Sequence, residues 1–300
     1  MPSDMMNGIV SNIKAMMVAG VVPDLKNTNY TKVRHEVEMT LLNAPVEEGV
    51  RFSTDYLGGV EIELSTPDNL TSQDIIIYLH AGGFLYGNAR TSRSFASQIA
   101  NKSGMCVYSV SYRLAPEHIY PTAVNDCFEV YKEVVKLHSG SKVSLVGDSA
   151  GANLSLVTAL KAMKEGIKLP ASVTVYSPPT DLATNLASRS LNKESDPIVP
   201  SNFDQLIIQA YCPKANPHDN YISPLLADYK GFPPLKIVVE RSEVLFDDSD
   251  LLAKKAKKAG VEVEYQIWEN TFHAFPSLGK TTPESAQVLT ETIEFIRRNC

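Results

Sequence analysis

The sequence has 300 residues, of which 44% are hydrophobic and 21% charged, and its formal net charge is −6. This composition excludes a disordered chain, because the apolar content can fill a core, and the acidic balance argues against a nucleic-acid partner. No apolar run is long enough to cross a bilayer, so we expect no stable association with a membrane.

The first thirty residues predict a packed helix rather than a targeting segment. Residues 9–22 are mildly apolar, but Asp4 precedes them and Lys14 interrupts them. No basic stretch leads them, as it would in a secretory signal. We therefore expect an amphipathic helix that packs on the body of the protein.

From residue 33 onward, strand-like runs alternate with helical patterns, which is typical of a mainly parallel sheet covered on both faces. Residues 33–40 and 60–65 alternate apolar and polar side chains and predict half-exposed antiparallel strands. Six further strands are predicted at residues 74–79, 106–111, 143–146, 173–176, 235–239 and 261–268. Helical patterns lie near residues 92–102, 121–137, 150–164, 248–259 and 283–298.

One stretch, residues 182–221, shows no strand pattern and is rich in Pro, Asn, Ser and Asp. A structureless loop of that length is improbable in a compact domain, so we expect a small helical insertion over the carboxyl edge of the sheet, where such sheets bind ligands. The prediction is therefore a single domain over residues 1–300. Its cap is formed by about residues 1–30 and 182–222.

The strongest local signal is a strand, a G-x-S-x-G turn and a helix in direct succession. The predicted strand at residues 143–146 leads into GDSAG at residues 147–151, and an apolar helical run follows. Such a turn exposes the serine hydroxyl at a helix N-terminus, where free N–H groups favour developing negative charge. We predict that Ser149 is a nucleophile rather than a structural serine.

A glycine pair follows the first buried strand, in the sequence HAGGF at residues 80–84. Glycines at this place allow backbone N–H groups to point into a site without side-chain obstruction. The N–H groups of Gly82, Gly83 and Ala150 are therefore predicted to form an oxyanion hole. The alternative is an ordinary Gly-Gly turn with His80 as a structural residue.

The general base is found among the six histidines by elimination. In hydrolases with this serine turn the base follows the nucleophile in chain order, which leaves His218 and His273. His218 lies in the irregular stretch, whereas His273 lies between the last predicted strand and the final helix. That loop brings a side chain to the carboxyl edge of the sheet, so His273 is the predicted base.

The acid that orients the histidine should follow a strand between Ser149 and His273. Glu243 comes first after the predicted strand at residues 235–239, whereas Asp247 and Asp248 resemble the N-cap and first turn of the next helix. The prediction is Glu243, and Asp247 remains the alternative.

Four motifs together resemble the hormone-sensitive-lipase-like branch of the α/β-hydrolases, a group of carboxylesterases. They are HAGGF at residues 80–84, YRLAPEH at 112–118, GDSAG at 147–151 and FHAF at 272–275. The resemblance runs from about residue 74 to the C-terminus and implies an α/β-hydrolase fold with a helical cap. It also implies that YRLAPEH is a packing and turn element, which keeps Arg113, Glu117 and His118 out of the predicted catalytic set.

Two positions depart from the family pattern. Ala81 stands where the family usually has the first of three glycines, but Gly82 and Gly83 remain. The acid loop of the family usually reads G-x-D-P-L, whereas this chain has Glu243 and Val244 in place of Asp and Pro. Glutamate is an accepted triad acid in this fold, so activity is expected to survive.

The sequence thus predicts a serine carboxylesterase for short-chain acyl esters, with no metal and no cofactor. Two alternatives use the same fold: an amidase or peptidase with the same triad, and a ligand-binding protein without catalysis. The last predicted strand, residues 261–268, could pair two copies into a homodimer. A small-molecule ester is the expected partner.

The four cysteines lie without paired spacing and form neither a C-x-x-C motif nor a disulfide framework: Cys106, Cys127, Cys212 and Cys300. Scattered cysteines of this kind indicate a reducing compartment. We therefore expect a cytoplasmic location.

Overall fold

The computed structural model of the protein describes residues 2–18 and 29–300. The described residues form one eight-stranded sheet from β1 (Val50–Leu57), β2 (Val60–Pro67), β3 (Ile75–Leu79), β4 (Cys106–Val110), β5 (Val143–Asp148), β6 (Val173–Tyr176), β7 (Leu235–Glu240) and β8 (Val263–Trp268). The strand order is β1-β2-β4-β3-β5-β6-β7-β8. β2 pairs antiparallel with β1 and β4, and every other pairing is parallel. The prediction of a mostly parallel eight-stranded sheet is confirmed.

The helices in the described residues are α1 (Asp4–Val18), α2 (Tyr30–Leu41), α3 (Arg93–Ser103), α4 (Thr122–Leu137), α5 (Ala150–Glu165), α6 (Ala187–Leu191), α7 (Phe203–Ala210), α8 (Phe246–Lys258) and α9 (Pro283–Asn299). Short 3₁₀ segments occur at Arg90–Ser92, Pro224–Leu226 and Phe275–Thr281. Within the described ranges, no helix combines the length and apolarity needed to cross a membrane.

The sheet separates two apolar clusters, and β3 contributes to both because its side chains alternate between the two faces. Ile75, Ile77 and Leu79 pack with residues of α4, α5 and α8. Ile76 and Tyr78 pack with residues of α1, α3 and α9. A strand covered on both faces has an unbroken apolar sequence, which is why β3 is readily predicted from sequence.

The prediction of a strand at residues 33–40 is wrong, because these residues belong to α2. Two local interactions favour the helix: the Asn29 side chain accepts a hydrogen bond from the Lys32 N–H (3.1 Å), and Lys32 pairs with Glu36 one turn later. The apolar residues of this stretch recur at a spacing of four as well as two. Its periodicity therefore fits a helix and a strand equally well.

The strand missing from the prediction is β1, which forms a hairpin with β2. Leu57 and Val60 face one another across a two-residue turn made by Gly58 and Gly59. Both glycines have positive φ, +57° and +79°, as a type I′ turn requires. The Gly-Gly pair between two runs of alternating apolar and polar residues is the sequence signal that could have predicted this hairpin.

Residues 182–221 contain α6 and α7 and no strand, as the sequence predicts for this insertion. The cap formed by residues 1–30 and 182–222 stays a prediction, and residues 19–28 of its first part lie outside the described residues. The start of α1 is fixed to the final helix, because the Ser3 hydroxyl donates to Glu284 of α9 (2.9 Å).

A buried ion pair attaches α6 of the insertion to α8. The Arg189 guanidinium lies 2.6 Å from the Asp248 carboxylate, and the two side chains are 1% and 0% exposed. The second oxygen of Asp248 accepts the N–H groups of Thr180 (2.7 Å) and Asp181 (3.0 Å). Burial raises the pKa of Asp248, and the facing guanidinium partly opposes that shift.

We predict that Arg189→Met lowers the free energy of unfolding by about 3–5 kcal/mol, because it leaves a buried carboxylate without its counter-charge. Adding Asp248→Asn should recover part of the loss. The measurement is urea denaturation at neutral pH. Arg241→Met is the control, since its pair with Glu269 is exposed and worth about 1 kcal/mol or less. An equal loss in the two arginine variants would contradict the assigned importance of the buried pair.

Candidate active site

Ser149 occupies a strained turn between β5 and α5. Its φ and ψ are +52° and −118°, and its N–H donates to the carbonyl of Tyr176 (2.8 Å). Residues other than glycine rarely have such a φ, and strain of this kind is typical of a serine elbow. A Cβ on Gly151 would lie 1.9 Å from the carbonyl oxygen of Leu79. Only glycine therefore lets α5 approach the end of β3 so closely.

Ser149, His273 and Glu243 form a continuous hydrogen-bonded line. The Oγ of Ser149 lies 2.8 Å from Nε2 of His273, and Nδ1 of His273 lies 2.7 Å from Oε2 of Glu243. All three side chains are buried. In the neutral imidazole, a proton on Nδ1 is donated to the carboxylate, so Nε2 can accept the serine proton.

The Glu243 carboxylate is held by more than the histidine. Its other oxygen, Oε1, accepts the hydroxyl of Ser177 (2.7 Å) and the N–H of Glu240 (3.0 Å). The Ser177 oxygen in turn accepts the N–H of Ala274, the residue after His273 (3.1 Å). Ser177 thus connects the loop of the acid with the loop of the histidine. No local motif predicts this role for Ser177.

The two alternatives weighed from sequence lie in other surroundings. Asp247 and Asp248 are in the first turn of α8, whose N-cap is Leu245 rather than an acid. The Asp247 carboxylate accepts the N–H of Ser188 (2.8 Å). His218 is exposed on the insertion. The structure therefore brings His273 and Glu243, and neither alternative, to Ser149.

The three residues predicted to form an oxyanion hole lie around Ser149. Gly82 and Gly83 line the same cavity as the serine. Ala150 begins α5, so its N–H has no acceptor within the helix. Gly82 has a φ of +128°, and a Cβ there would lie 2.0 Å from the carbonyl oxygen of Tyr86. The tight turn that follows the strand therefore requires glycine at this position.

Buried carboxylates determine the protonation of His273. Burial alone lowers the pKa of His273, but Glu243, Asp196 and Asp148 outweigh burial and raise it above the usual value. Burial also raises the pKa of Asp148 to about 6, although this carboxylate accepts a 2.6 Å hydrogen bond from the Tyr78 hydroxyl. The protonated form of His273 is thus stabilised by three neighbouring acids.

The histidine of HAGGF and the YRLAPEH segment pack against each other. His80 stacks on Tyr112 with ring centroids 4.2 Å apart, and the Tyr112 hydroxyl donates to the carbonyl of His80 (2.7 Å). Burial lowers the pKa of His80 to about 4, so it is neutral at pH 7. Arg113 pairs with Asp126 of α4 (2.7 Å). These contacts pack the YRLAPEH segment against the loop that contains Gly82 and Gly83.

The side chains of Ser149 and His273 line a cavity of about 310 Å³. Besides Ser149, His273 and the two glycines, it is lined by Ala81, Leu85, Tyr86, Asp148, Ile198, Val199, Pro200, Phe203, Ile207, Phe272, Ala274 and Ser277. Most of these side chains are apolar, which suits an acyl chain. Across residues 2–18 and 29–300, no three His, Cys, Asp or Glu side chains are grouped to hold a metal ion.

The insertion supplies one wall of this cavity, through residues that the sequence analysis did not select. Ile198, Val199 and Pro200 precede α7, and Phe203 and Ile207 lie on one face of that helix. Phe203 and Ile207 are four residues apart, and this helical spacing is the sequence signal that could have identified these two residues.

The chain is similar to known hydrolases in sequence and in structure. Residues 76–277 match the family with the alpha/beta hydrolase fold. An esterase of Acinetobacter venetianus is 31% identical over 227 residues, which cover 75% of this chain and 75% of the relative. An acetyl-hydrolase of Streptomyces hygroscopicus is 32% identical over 224 residues, which cover 74% of this chain and 75% of the relative.

A solved structure of a similar protein matches this chain over its whole length. The crystal structure of an esterase from the bacterial hormone-sensitive lipase family matches with a TM-score of 0.91 at 28% identity, over 100% of this chain and 99% of that chain. The family match spans more than half of the sequence and includes both glycine motifs and the histidine loop. The chain therefore belongs to the hormone-sensitive-lipase-like branch of the α/β-hydrolase family.

Proposed function

We propose that this protein is a serine carboxylesterase that hydrolyses short-chain esters of small molecules through Ser149, His273 and Glu243. One observation carries the proposal: the unbroken line from the Ser149 hydroxyl through the His273 imidazole to the Glu243 carboxylate, with bonds of 2.8 and 2.7 Å. The names of the similar proteins, esterase and acetyl-hydrolase, support the same chemistry.

Catalysis begins when Nε2 of His273 removes the hydroxyl proton of Ser149. The serine oxygen attacks the ester carbonyl, and the negative charge that develops on the carbonyl oxygen is stabilised by the N–H groups of Gly82, Gly83 and Ala150. His273 then protonates the leaving alcohol. Water, activated by the same imidazole, hydrolyses the acyl-enzyme and restores the serine.

The neutral form of His273 is the active form, which sets the direction of the pH dependence. Because the neighbouring carboxylates raise its pKa, the acidic limb of kcat/KM lies above the usual value of a free imidazole. Activity is complete above this pKa and is lost as the pH falls through it.

The size and lining of the cavity support small acyl groups. A volume of about 310 Å³ lies at the lower end of the range for small-molecule pockets. The side chains of Phe203 and Ile207 close one side of it, and both are buried. A cavity of this size has to hold the acyl group together with part of the alcohol, and this favours a short acyl chain over a long one.

Two further parts of the proposal concern assembly and location. β8 is the last strand of the sheet, and pairing of two copies along it would give the homodimer. The four cysteines, all free thiols, are consistent with a reducing, cytoplasmic environment.

Ser149→Ala is expected to abolish hydrolysis of 4-nitrophenyl butyrate, with a loss in kcat on the order of 10⁶, because the nucleophile is removed. A fluorophosphonate probe should label the wild-type protein and leave the variant unlabelled. Labelling also separates a working hydrolase from a binding protein with the same fold. A correctly folded Ser149→Ala variant that keeps most of its activity would refute the assignment of the nucleophile.

Glu243→Gln is expected to reduce kcat by a factor of about 10⁴, the size seen for the analogous change in the serine-protease triad. The amide keeps the shape of the side chain but loses the charge that stabilises the imidazolium. Asp247→Asn is the matched control, because Asp247 bonds to Ser188 in the first turn of α8. Its cost is about 1 kcal/mol of stability and little rate. A greater loss of kcat in the Asp247 variant would assign the acid to that residue.

The acyl preference is tested by kcat/KM for 4-nitrophenyl esters from acetate to laurate. We expect a maximum at two to four carbons, because the cavity of about 310 Å³ has to hold part of the alcohol as well as the acyl group. Phe203→Ala removes part of the wall and should move the maximum to longer chains. A maximum at ten or more carbons in the wild-type protein would contradict the proposed substrate class.

A further inference from the structure

The loop that carries Glu243, residues 241–245, is covered by polar groups of the insertion. The Asn192 amide donates to the carbonyl oxygens of Glu243 (2.7 Å) and Arg241 (3.1 Å). The Ser195 hydroxyl donates to the carbonyl of Ser242 (3.0 Å). The backbone on both sides of the acid is thus fixed by side chains about 50 residues earlier in the chain.

Asp196 makes the connection that bears most directly on the acid. One of its oxygens, Oδ2, accepts the N–H of Val244, the residue after Glu243, at 2.9 Å. The other, Oδ1, accepts the N–H groups of Ile198 and Val199, both at 2.9 Å. The side chain is 4% exposed, so a charged group lies in the interior with all three bonds made to backbone N–H donors.

The same short turn shapes the substrate cavity. Ile198 and Val199, whose N–H groups bind Asp196, line the cavity together with Pro200. A single carboxylate therefore fixes the wall that faces the acyl group and the backbone next to the triad acid.

We propose that Asp196 is a positioning residue that connects the acyl-binding wall of the insertion to Glu243. This inference rests on the proposed function, because it assigns Asp196 a part in the same reaction. Asp196 holds Val244 in place, and Val244 holds Glu243 at the distance from which its carboxylate orients His273.

Because Asp196 is charged, replacing it should change the pH profile of the reaction, which the loss of a purely structural residue would not do. Three acids act on the charge of His273. They are Glu243 in the loop after β7, Asp148 at the end of β5, and Asp196 in the insertion. All three favour the protonated imidazole. Removal of the charge of Asp196 therefore lowers the pKa of His273 and moves the acidic limb of kcat/KM to lower pH.

The test compares Asp196→Asn with the wild-type protein on 4-nitrophenyl butyrate. The amide oxygen of asparagine can still accept the N–H groups of Ile198 and Val199, but its NH₂ group faces the N–H of Val244. We expect kcat to fall by roughly tenfold to a hundredfold, the usual effect of losing a hydrogen bond to a charged group, with KM nearly unchanged. The acidic limb should move to lower pH.

Asp196→Ala adds a second readout, because it removes the turn as well as the connection to Val244. We expect its ratio of acetate to butyrate turnover to differ from the wild-type ratio, whereas Asp196→Asn keeps that ratio. If Asp196→Asn does not fold, Asp196→Ser takes its place, since a serine oxygen also caps such turns but is too short to reach Val244.

The matched control is Asp219→Asn, which lies in the same insertion. Its carboxylate accepts the N–H of Tyr221 in a similar turn (2.9 Å) and the hydroxyl of Tyr120 (2.9 Å). It changes the same charge at a distance from the acid loop. We expect kcat and the acidic limb of this variant to match the wild-type values.

The outcomes separate this inference from the proposed function. If Ser149→Ala is inactive and Asp196→Asn matches Asp219→Asn in kcat and pH profile, the positioning role is refuted and the triad stands. If Ser149→Ala remains active, the proposed function fails and the role of Asp196 fails with it. A fall in kcat with an unmoved acidic limb would also overturn the inference, because a folding defect alone would produce it.

Discussion

The close approach of α5 to the end of β3 is the constraint on which the rest of the site depends. The Cα of Gly151 lies against the carbonyl of Leu79, where no other residue fits. This contact places the helix N-terminus, with its unpaired N–H groups, beside the loop of Gly82 and Gly83. Ser149 and the glycine loop thus lie at one edge of the sheet because two backbone segments can come into contact.

At this edge, side chains connect loops from different parts of the chain. Ser177 connects the acid to the histidine loop, and Asp196 connects the acid to the insertion. Neither side chain reacts, yet each satisfies buried groups that would otherwise be costly to leave unpaired. Glu243 is longer than the aspartate usual in related proteins, and its two outer donors, Ser177 and the Glu240 N–H, fix the extra rotatable bond.

The local sequence pattern predicts the structure where pattern and burial agree, and it does not where pairing between distant segments decides. β3 is covered on both faces, so its continuous apolar run is typical of a buried strand. The G-x-S-x-G turn requires a strand before it and a helix after it. The apolar residues of 33–40 fit the period of a helix and that of a strand, and the N-cap at Asn29 favours the helix. Ser177 and Asp196 were not found because their partners lie 66 and 48 residues away, a distance at which no local motif exists.

The buried pair of Arg189 and Asp248 has a consequence for how substrate enters. To lift α6 from α8, the two charges would have to separate inside a medium of low polarizability, which is costly. The pair therefore anchors α6, the first helix of the insertion, to α8. For the proposed esterase, we expect turnover to follow the concentration of dissolved ester, without a sudden rise when substrate droplets form.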